Sequence, residues 1–230
     1  RQMCIRDSLY AAGEAGTVQC IIHDGTFKTA GNYTAVLIGN DNTNGDGGIN
    51  ADACSYIYGG TFLAPEGVSA VKVSPNTANS SVLYGGSYSM LGETDALPYV
   101  AAECRTVEAT EGGVSYVVQA RTEEDTDAVA KVGDKVYASL QTAIDAAEGG
   151  TAVLLKDTAE SITVSGDRTV TLDLGGNTLT NTAGSHTITV VLGGRLTLED
   201  SAGNGKVDNI SHAKAALFNN GTAVLNGGEY

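Results

Sequence analysis

Short apolar runs of alternating period, broken every few residues by Gly, Asn or Ser, occupy most of the chain. Ile21-Ile22-His23 and Tyr56-Ile57-Tyr58 are typical, each leading into a turn and a second short run. Alternate side chains of a strand face opposite sides, so runs of this length predict strands with one apolar side each. None is long enough to bury that side alone. The runs also repeat. Gly25-Thr26-Phe27 through Val36-Leu37-Ile38 aligns with Gly60-Thr61-Phe62 through Val71-Lys72-Val73 at a constant offset of 35 residues. A third copy, Val82-Leu83-Tyr84-Gly85-Gly86-Ser87-Tyr88, follows the second at an offset of 26. Val224-Leu225-Asn226-Gly227-Gly228-Glu229-Tyr230 is a fourth, and Ala215-Ala216-Leu217-Phe218 before it matches Ala70-Val71-Lys72-Val73.

Such units become stable by stacking, which buries a continuous column of side chains. The copies place Ile22, Ile57, Leu83 and Leu225 in one inward column. Phe27, Phe62, Tyr88 and Tyr230 form a second column after the turn. Residues 40–52 read as an inserted loop; without them the repeat is about 22 residues, a length suited to strand-and-turn coils. This period and the density of glycine exclude a helical bundle.

The pattern changes further along. Residues 122–130 are acidic and aperiodic and read as a linker. Leu140, Ala143, Ile144 and Ala147 then recur at helical spacing. Ser139 is placed as the N-cap and Gly149-Gly150 as the stop, which predicts one short helix near 139–147. Strands are expected at 151–155, 161–164, 169–174, 187–192 and 195–198.

The run Val132-Gly133-Asp134-Lys135-Val136-Tyr137-Ala138-Ser139-Leu140-Gln141-Thr142-Ala143-Ile144, with Val153-Leu154-Leu155-Lys156-Asp157 and Leu172-Asp173-Leu174-Gly175-Gly176-Asn177, resembles the opening of pectin-lyase-like β-helix domains. Residues 215–230 are similar to later coils of such domains, which occur in tandem in large surface proteins of gut bacteria. The resemblance implies an all-β fold, a right-handed parallel β-helix (solenoid) in two incomplete tandem units. The short helix would cap the first coil of the second unit. On this reading 9–91 are the last coils of one unit. Residues 92–121 close it, with a hairpin around Glu111-Gly112-Gly113, and 131–230 begin the next.

Composition alters the picture in three places. Residues 1–8, Arg1-Gln2-Met3-Cys4-Ile5-Arg6-Asp7-Ser8, resemble a translated sequencing adapter and are set aside from the fold. On that expectation the chain is a piece of a longer protein, and the lack of a signal peptide in it is uninformative. The net charge of −14, one unit more negative without the octapeptide, opposes nucleic acid, anionic lipid and polyuronate as partners. Beyond Cys4, the cysteines Cys20, Cys54 and Cys104 have no metal-binding spacing. No apolar run approaches the roughly 20 residues of a membrane span. An extracellular or cell-surface location is expected.

Catalytic chemistry on a stack of coils would need paired carboxylates on neighbouring coils, or a base with arginine or a metal. Aligning Leu172-Asp173-Leu174 with Val190-Val191-Leu192 sets Asp173 beside Val191, not beside another acid. His23, His186 and His212 fall in different coils. No catalytic residues are therefore assigned. Two binding surfaces are candidates. If Ile22, Ile57 and Leu83 point inward, His23, Tyr58 and Tyr84 form an outward row that can pack against sugar rings or simply brace neighbouring strands. Asn42, Asn44, Asp46 and Asp52 lie in a run resembling the calcium loops of dockerins and EF-hands. The first ligand position is Asn instead of Asp, and the last acid falls one place early. The same residues also suit a Gly/Asn-rich surface loop.

The expected function is a non-catalytic structural or adhesive module that contacts a neutral polysaccharide or host glycan. A carbohydrate-active enzyme whose catalytic coils lie elsewhere, and a calcium-dependent binding module, are the alternatives. If the loop binds calcium, titration calorimetry will give saturable heat at millimolar calcium that Asp46→Ala removes. Absence of heat retires calcium.

Overall fold

The computed structural model describes residues 9–11, 19–38, 55–74 and 80–230. The candidate calcium ligands Asn42, Asn44, Asp46 and Asp52 lie outside the described residues. The chain is mostly β-strand with parallel sheets, and it divides into two compact units, residues 1–120 and 121–230.

In the first unit the strands are β1 (Leu9–Ala11), β2 (Ile21–Ile22), β3 (Thr26–Lys28), β4 (Val36–Ile38), β5 (Tyr56–Ile57), β6 (Thr61–Leu63), β7 (Val71–Val73), β8 (Gly86–Tyr88), β9 (Cys104–Glu108) and β10 (Tyr116–Ala120). Three parallel ladders result. β1–β4–β7 is one and β3–β6–β8 another. β2–β5 is the third, extended by parallel bridges from Ile57 to Leu83 and from Leu83 to Val100. The chain visits the three in a fixed cyclic order. The offset of 35 read from the repeats is the register itself: Ile22 pairs Ile57, Phe27 pairs Phe62 and Val36 pairs Val71. Ile22, Ile57 and Leu83 are buried in one column, because one strand side is closed against the other ladders. A second column stacks ring on ring, with centroids 5.1 Å apart for Phe27–Phe62 and 5.0 Å for Phe62–Tyr88. β9 and β10 form the expected hairpin around Glu111-Gly112-Gly113, and β10 pairs antiparallel with β8. That covers an edge which would otherwise expose unpaired backbone groups.

The second unit holds β11 (Ala130–Val132), β12 (Lys135–Tyr137), α1 (Leu140–Ala146), β13 (Thr151–Leu154), β14 (Thr158–Ala159), β15 (Ile162–Val164), β16 (Thr169–Asp173), β17 (Thr178–Thr180), β18 (Ile188–Val190), β19 (Arg195–Glu199), β20 (Lys206–Asp208), β21 (Leu217–Asn219) and β22 (Thr222–Leu225). The five strands expected from the sequence appear with ends shifted by one or two residues. The ladders are β13–β16–β19–β22, β14–β17–β20 and β15–β18–β21, again all parallel and again visited in cyclic order. β11 joins the first of them antiparallel, followed by β12. Residues 128–130, at the end of the acidic stretch, are buried in this unit, and Arg121 pairs with Asp127 just before them.

The helix forms as its spacing dictates. Leu140, Ala143 and Ile144 are fully buried against β11, β13 and β15. Ser139 caps it by accepting the Thr142 N–H at 3.3 Å. The Glu160 carboxylate, entering from the loop after β14, accepts the N–H groups of Leu140 at 2.8 Å and Gln141 at 2.9 Å. At the other end the Arg168 guanidinium donates to the Asp145 carbonyl. Both ends thus carry the charge that complements the helix dipole.

Two expected column members sit elsewhere. Leu225 belongs to the column Ala152–Leu172–Leu198 of the second unit and is 45% exposed, and Tyr230 is also exposed there. The shared motif records a local turn, not a shared ladder. In Gly85-Gly86-Ser87-Tyr88 the phenol donates to the Gly85 carbonyl at 2.6 Å. In Gly227-Gly228-Glu229-Tyr230 the phenol donates to the Gly227 carbonyl in the same way.

Stacking dictates glycine where successive backbones approach. A Cβ on Gly59 would lie 2.4 Å from the His23 carbonyl oxygen, and one on Gly85 would lie 2.2 Å from that of Tyr58. Gly85→Ala is therefore expected to destabilise the first unit by about 2 kcal/mol or more, since the clash is with backbone. Gly67→Ala, at φ +79° but in open space, is expected to cost about 1 kcal/mol of left-handed strain. Urea unfolding followed by circular dichroism ranks the two; equal midpoints would refute the close approach.

Candidate functional site

The outward row follows from the same alternation that buries Ile22, Ile57 and Leu83. With those three inward, their chain neighbours must point away on the other side. The ladder holds them in line through backbone bonds: Tyr58 N–H to the Ile22 carbonyl and Tyr84 N–H to the Ile57 carbonyl, both at 2.8 Å. His23 and Tyr58 are exposed and Tyr84 is half-buried. The His23 and Tyr58 rings stack with centroids 5.4 Å apart and planes 12° from parallel. Tyr58 and Tyr84 are 5.3 Å apart, tilted by 36°. All three residues named from the sequence are therefore brought together.

A fourth ring belongs to the cluster. Tyr56 lies on the same side of β5 as Tyr58, 6.0 Å from it and 5.9 Å from Tyr84, meeting the latter edge-on at 63°. The signal was present in the sequence, because Tyr56 and Tyr58 are two residues apart on one strand. Ile21, paired with Tyr56 and 46% exposed, extends the apolar surface. At these centroid distances neighbouring rings cover part of one another's faces. What the row offers outward is ring edges, the uncovered parts of ring faces and, at the exposed Tyr58, a phenol hydroxyl, which both donates and accepts. This chemistry suits a ligand with apolar C–H faces and many hydroxyl groups.

The carboxylates are placed differently from the sequence alignment. Asp173 pairs with Val153 and Glu199, not Val191, because β16 stacks between β13 and β19 while Val191 follows β18 in another ladder. An acid does neighbour Asp173, but Asp173 is committed to the backbone. Its Oδ1 accepts the N–H groups of Gly175 and Ser201, each at 2.9 Å. Asp200 likewise accepts from Gly176 and Gly205, both at 2.7 Å, and Asp157 from Thr178 at 2.7 Å. These side chains clamp turns between successive strands. His186 stacks on Phe218 at 4.5 Å and accepts the Ala215 N–H through Nδ1, whereas His212 is exposed. Among the described residues no group of three or more His, Cys, Asp or Glu is gathered that could hold a metal. Nor is any helix there long and apolar enough to cross a membrane.

Burial pushes the Asp173 carboxyl up, but the hydrogen bonds from Ser201 and Gly175 outweigh it and hold the group below its ordinary range. A carboxyl lowered by folding stabilises the fold above its unfolded value and loses that contribution as pH falls through its folded value. Acid unfolding of the wild type should accordingly steepen below pH about 4. Asp173→Asn, which keeps an acceptor oxygen but cannot ionise, is expected to flatten that limb. Urea midpoints measured from neutral pH downward check this, and parallel curves would show that Asp173 contributes nothing. Among known proteins, the chain matches no family model, no curated protein and no solved structure.

Proposed function

We propose that the chain is a non-catalytic structural and adhesive module of a secreted or cell-surface bacterial protein, which contacts neutral glycans through the row His23, Tyr58 and Tyr84 with Tyr56 beside it. The observation that carries the reading is the row itself: rings at 5.3–5.4 Å on one partly exposed side of a parallel ladder. A net charge of −14 favours neutral sugars over uronates. The commitment of Asp157, Asp173 and Asp200 to backbone N–H groups supports a scaffold over an enzyme.

The scaffold would be a right-handed parallel β-helix in each unit. In-register parallel pairing and the cyclic order of the ladders support a solenoid. Right-handedness follows from the strong preference of parallel crossover connections for that hand. The helix α1 would cap the first coil of the second unit, with Leu140, Ala143 and Ile144 closing its apolar end. A stiff stack of this kind holds a binding surface at a fixed distance from whatever anchors it.

Affinity electrophoresis in gels containing neutral or acidic polysaccharides tests the binding. Retardation is expected with at least one neutral polymer and not with polygalacturonate. The double variant Tyr58→Ala/Tyr84→Ala should lose it while keeping the wild-type circular dichroism spectrum. A folded double variant that migrates like the wild type in every gel would leave the row with a bracing role only.

A further inference from the structure

A groove in the first unit, lined by residues other than those of the aromatic row, has the make-up of a small-ligand site. It lies where the parallel strands β6 and β8 end and the antiparallel strand β10 begins. The chain leaves β6 through the turn Pro65-Glu66-Gly67, closed by the Val68 N–H to the Pro65 carbonyl at 3.0 Å. It leaves β8 in the same direction through Ser89 and Met90. β10 comes back the other way from a hairpin whose Gly112 and Gly113 sit at φ +65° and +80°. The two turns stand apart over Ser89 and Met90, and a crevice of about 410 Å³ opens between them. Clefts with a largely apolar lining and a few polar groups are the usual form of small-ligand sites.

Its walls are fixed. The Ser89 hydroxyl accepts the Ala64 N–H at 2.8 Å and donates to the Ala64 carbonyl at 3.2 Å, which ties the end of β6 to that of β8. The Ser115 N–H donates to the Tyr88 carbonyl at 2.8 Å, which ties the hairpin to the same strand. The lining combines an aromatic ring (Tyr116), a thioether (Met90) and the Pro65 ring with the Ser115 hydroxyl and the Glu66 carboxylate. Among the described residues no cationic side chain lines it, so an anion finds no ionic partner there. A carboxylate beside apolar surface suits an uncharged ligand that carries several O–H donors and one apolar face.

We propose that this groove binds a single neutral pyranose unit, with Glu66 accepting hydroxyl hydrogens and Tyr116 and Pro65 meeting the C–H face. The site is separate from the aromatic row and does not depend on it. Amide chemical shifts of the full chain, titrated with glucose, galactose, mannose and N-acetylglucosamine, test it against glucuronate and n-propylamine. At least one neutral sugar is expected to shift Gly67, Gly113 and Ser115 saturably in the millimolar range, a strength typical of so small a ligand. Glu66→Ala, in an exposed turn, should weaken that binding about tenfold, the effect of losing hydrogen bonds to a charged acceptor. Tyr58→Ala/Tyr84→Ala should leave it unchanged, which separates this site from the row. The proposal fails if no neutral sugar moves these amides, if Glu66→Ala binds as well as the wild type, or if n-propylamine binds as tightly as the sugars.

Discussion

In-register parallel pairing is the constraint on which the rest of the molecule depends. It sets each residue directly against its equivalent in the preceding repeat, a strand spacing of about 4.8 Å away. Like must therefore tolerate like. Aliphatic side chains do so by filling a common column, as at Ile22, Ile57 and Leu83. Aromatic ones do so by stacking, as at Phe27, Phe62 and Tyr88. Where the chain bends, nothing larger than hydrogen fits beneath the preceding carbonyl, and Gly59 and Gly85 stand there.

The outward row is the same rule with solvent on one side. The inner stack Phe62–Tyr88 and the outer stack His23–Tyr58 have similar centroid distances, 5.0 and 5.4 Å. They differ in what surrounds them. Phe62 and Tyr88 are sealed, and the Tyr88 phenol is spent on the Gly85 carbonyl. Burial also pushes that phenol well above its ordinary value. Tyr58 keeps 47% of its surface exposed. A ladder built for stability thus yields, at no further structural cost, a line of rings that reaches the surface.

Much of this was legible in the sequence because register is a translation. A constant offset between matching residues names the pairing partner directly, and it yields the first-unit members of both columns and the outward row without coordinates. The helix was legible for a different reason, since Ser139 and the Leu140–Ile144 spacing are local. Two things were not. The fourth motif copy, ending at Tyr230, aligns with the first-unit columns because a recurrent turn resembles a recurrent repeat; only the partners of Leu225 distinguish them. Asp173 aligns with Val191 because Leu-Gly-Gly follows each, yet the two belong to different ladders of one cycle. The groove was illegible for a third reason. Its walls come from segments some 25 and 50 residues apart, brought together by the antiparallel return of β10, which no internal similarity announces.

The two charged groups that close the ends of α1 set an order of events during synthesis. Seven residues are too few to persist as an isolated helix in water. The donors at its start wait for Glu160, and the carbonyl near its end waits for Arg168. Both emerge from the ribosome after the helix itself. The helix is thus completed only after it has been translated, once β13 and β15 are in place to receive it. A chain arrested between Ala146 and Glu160 would hold the apolar stripe Leu140, Ala143 and Ile144 against β11 and β12 alone, without β13 and β15. Exposure of the remaining apolar surface to chaperones and proteases is in this way expected to be greatest while the stretch from Ala146 to Glu160 is being translated.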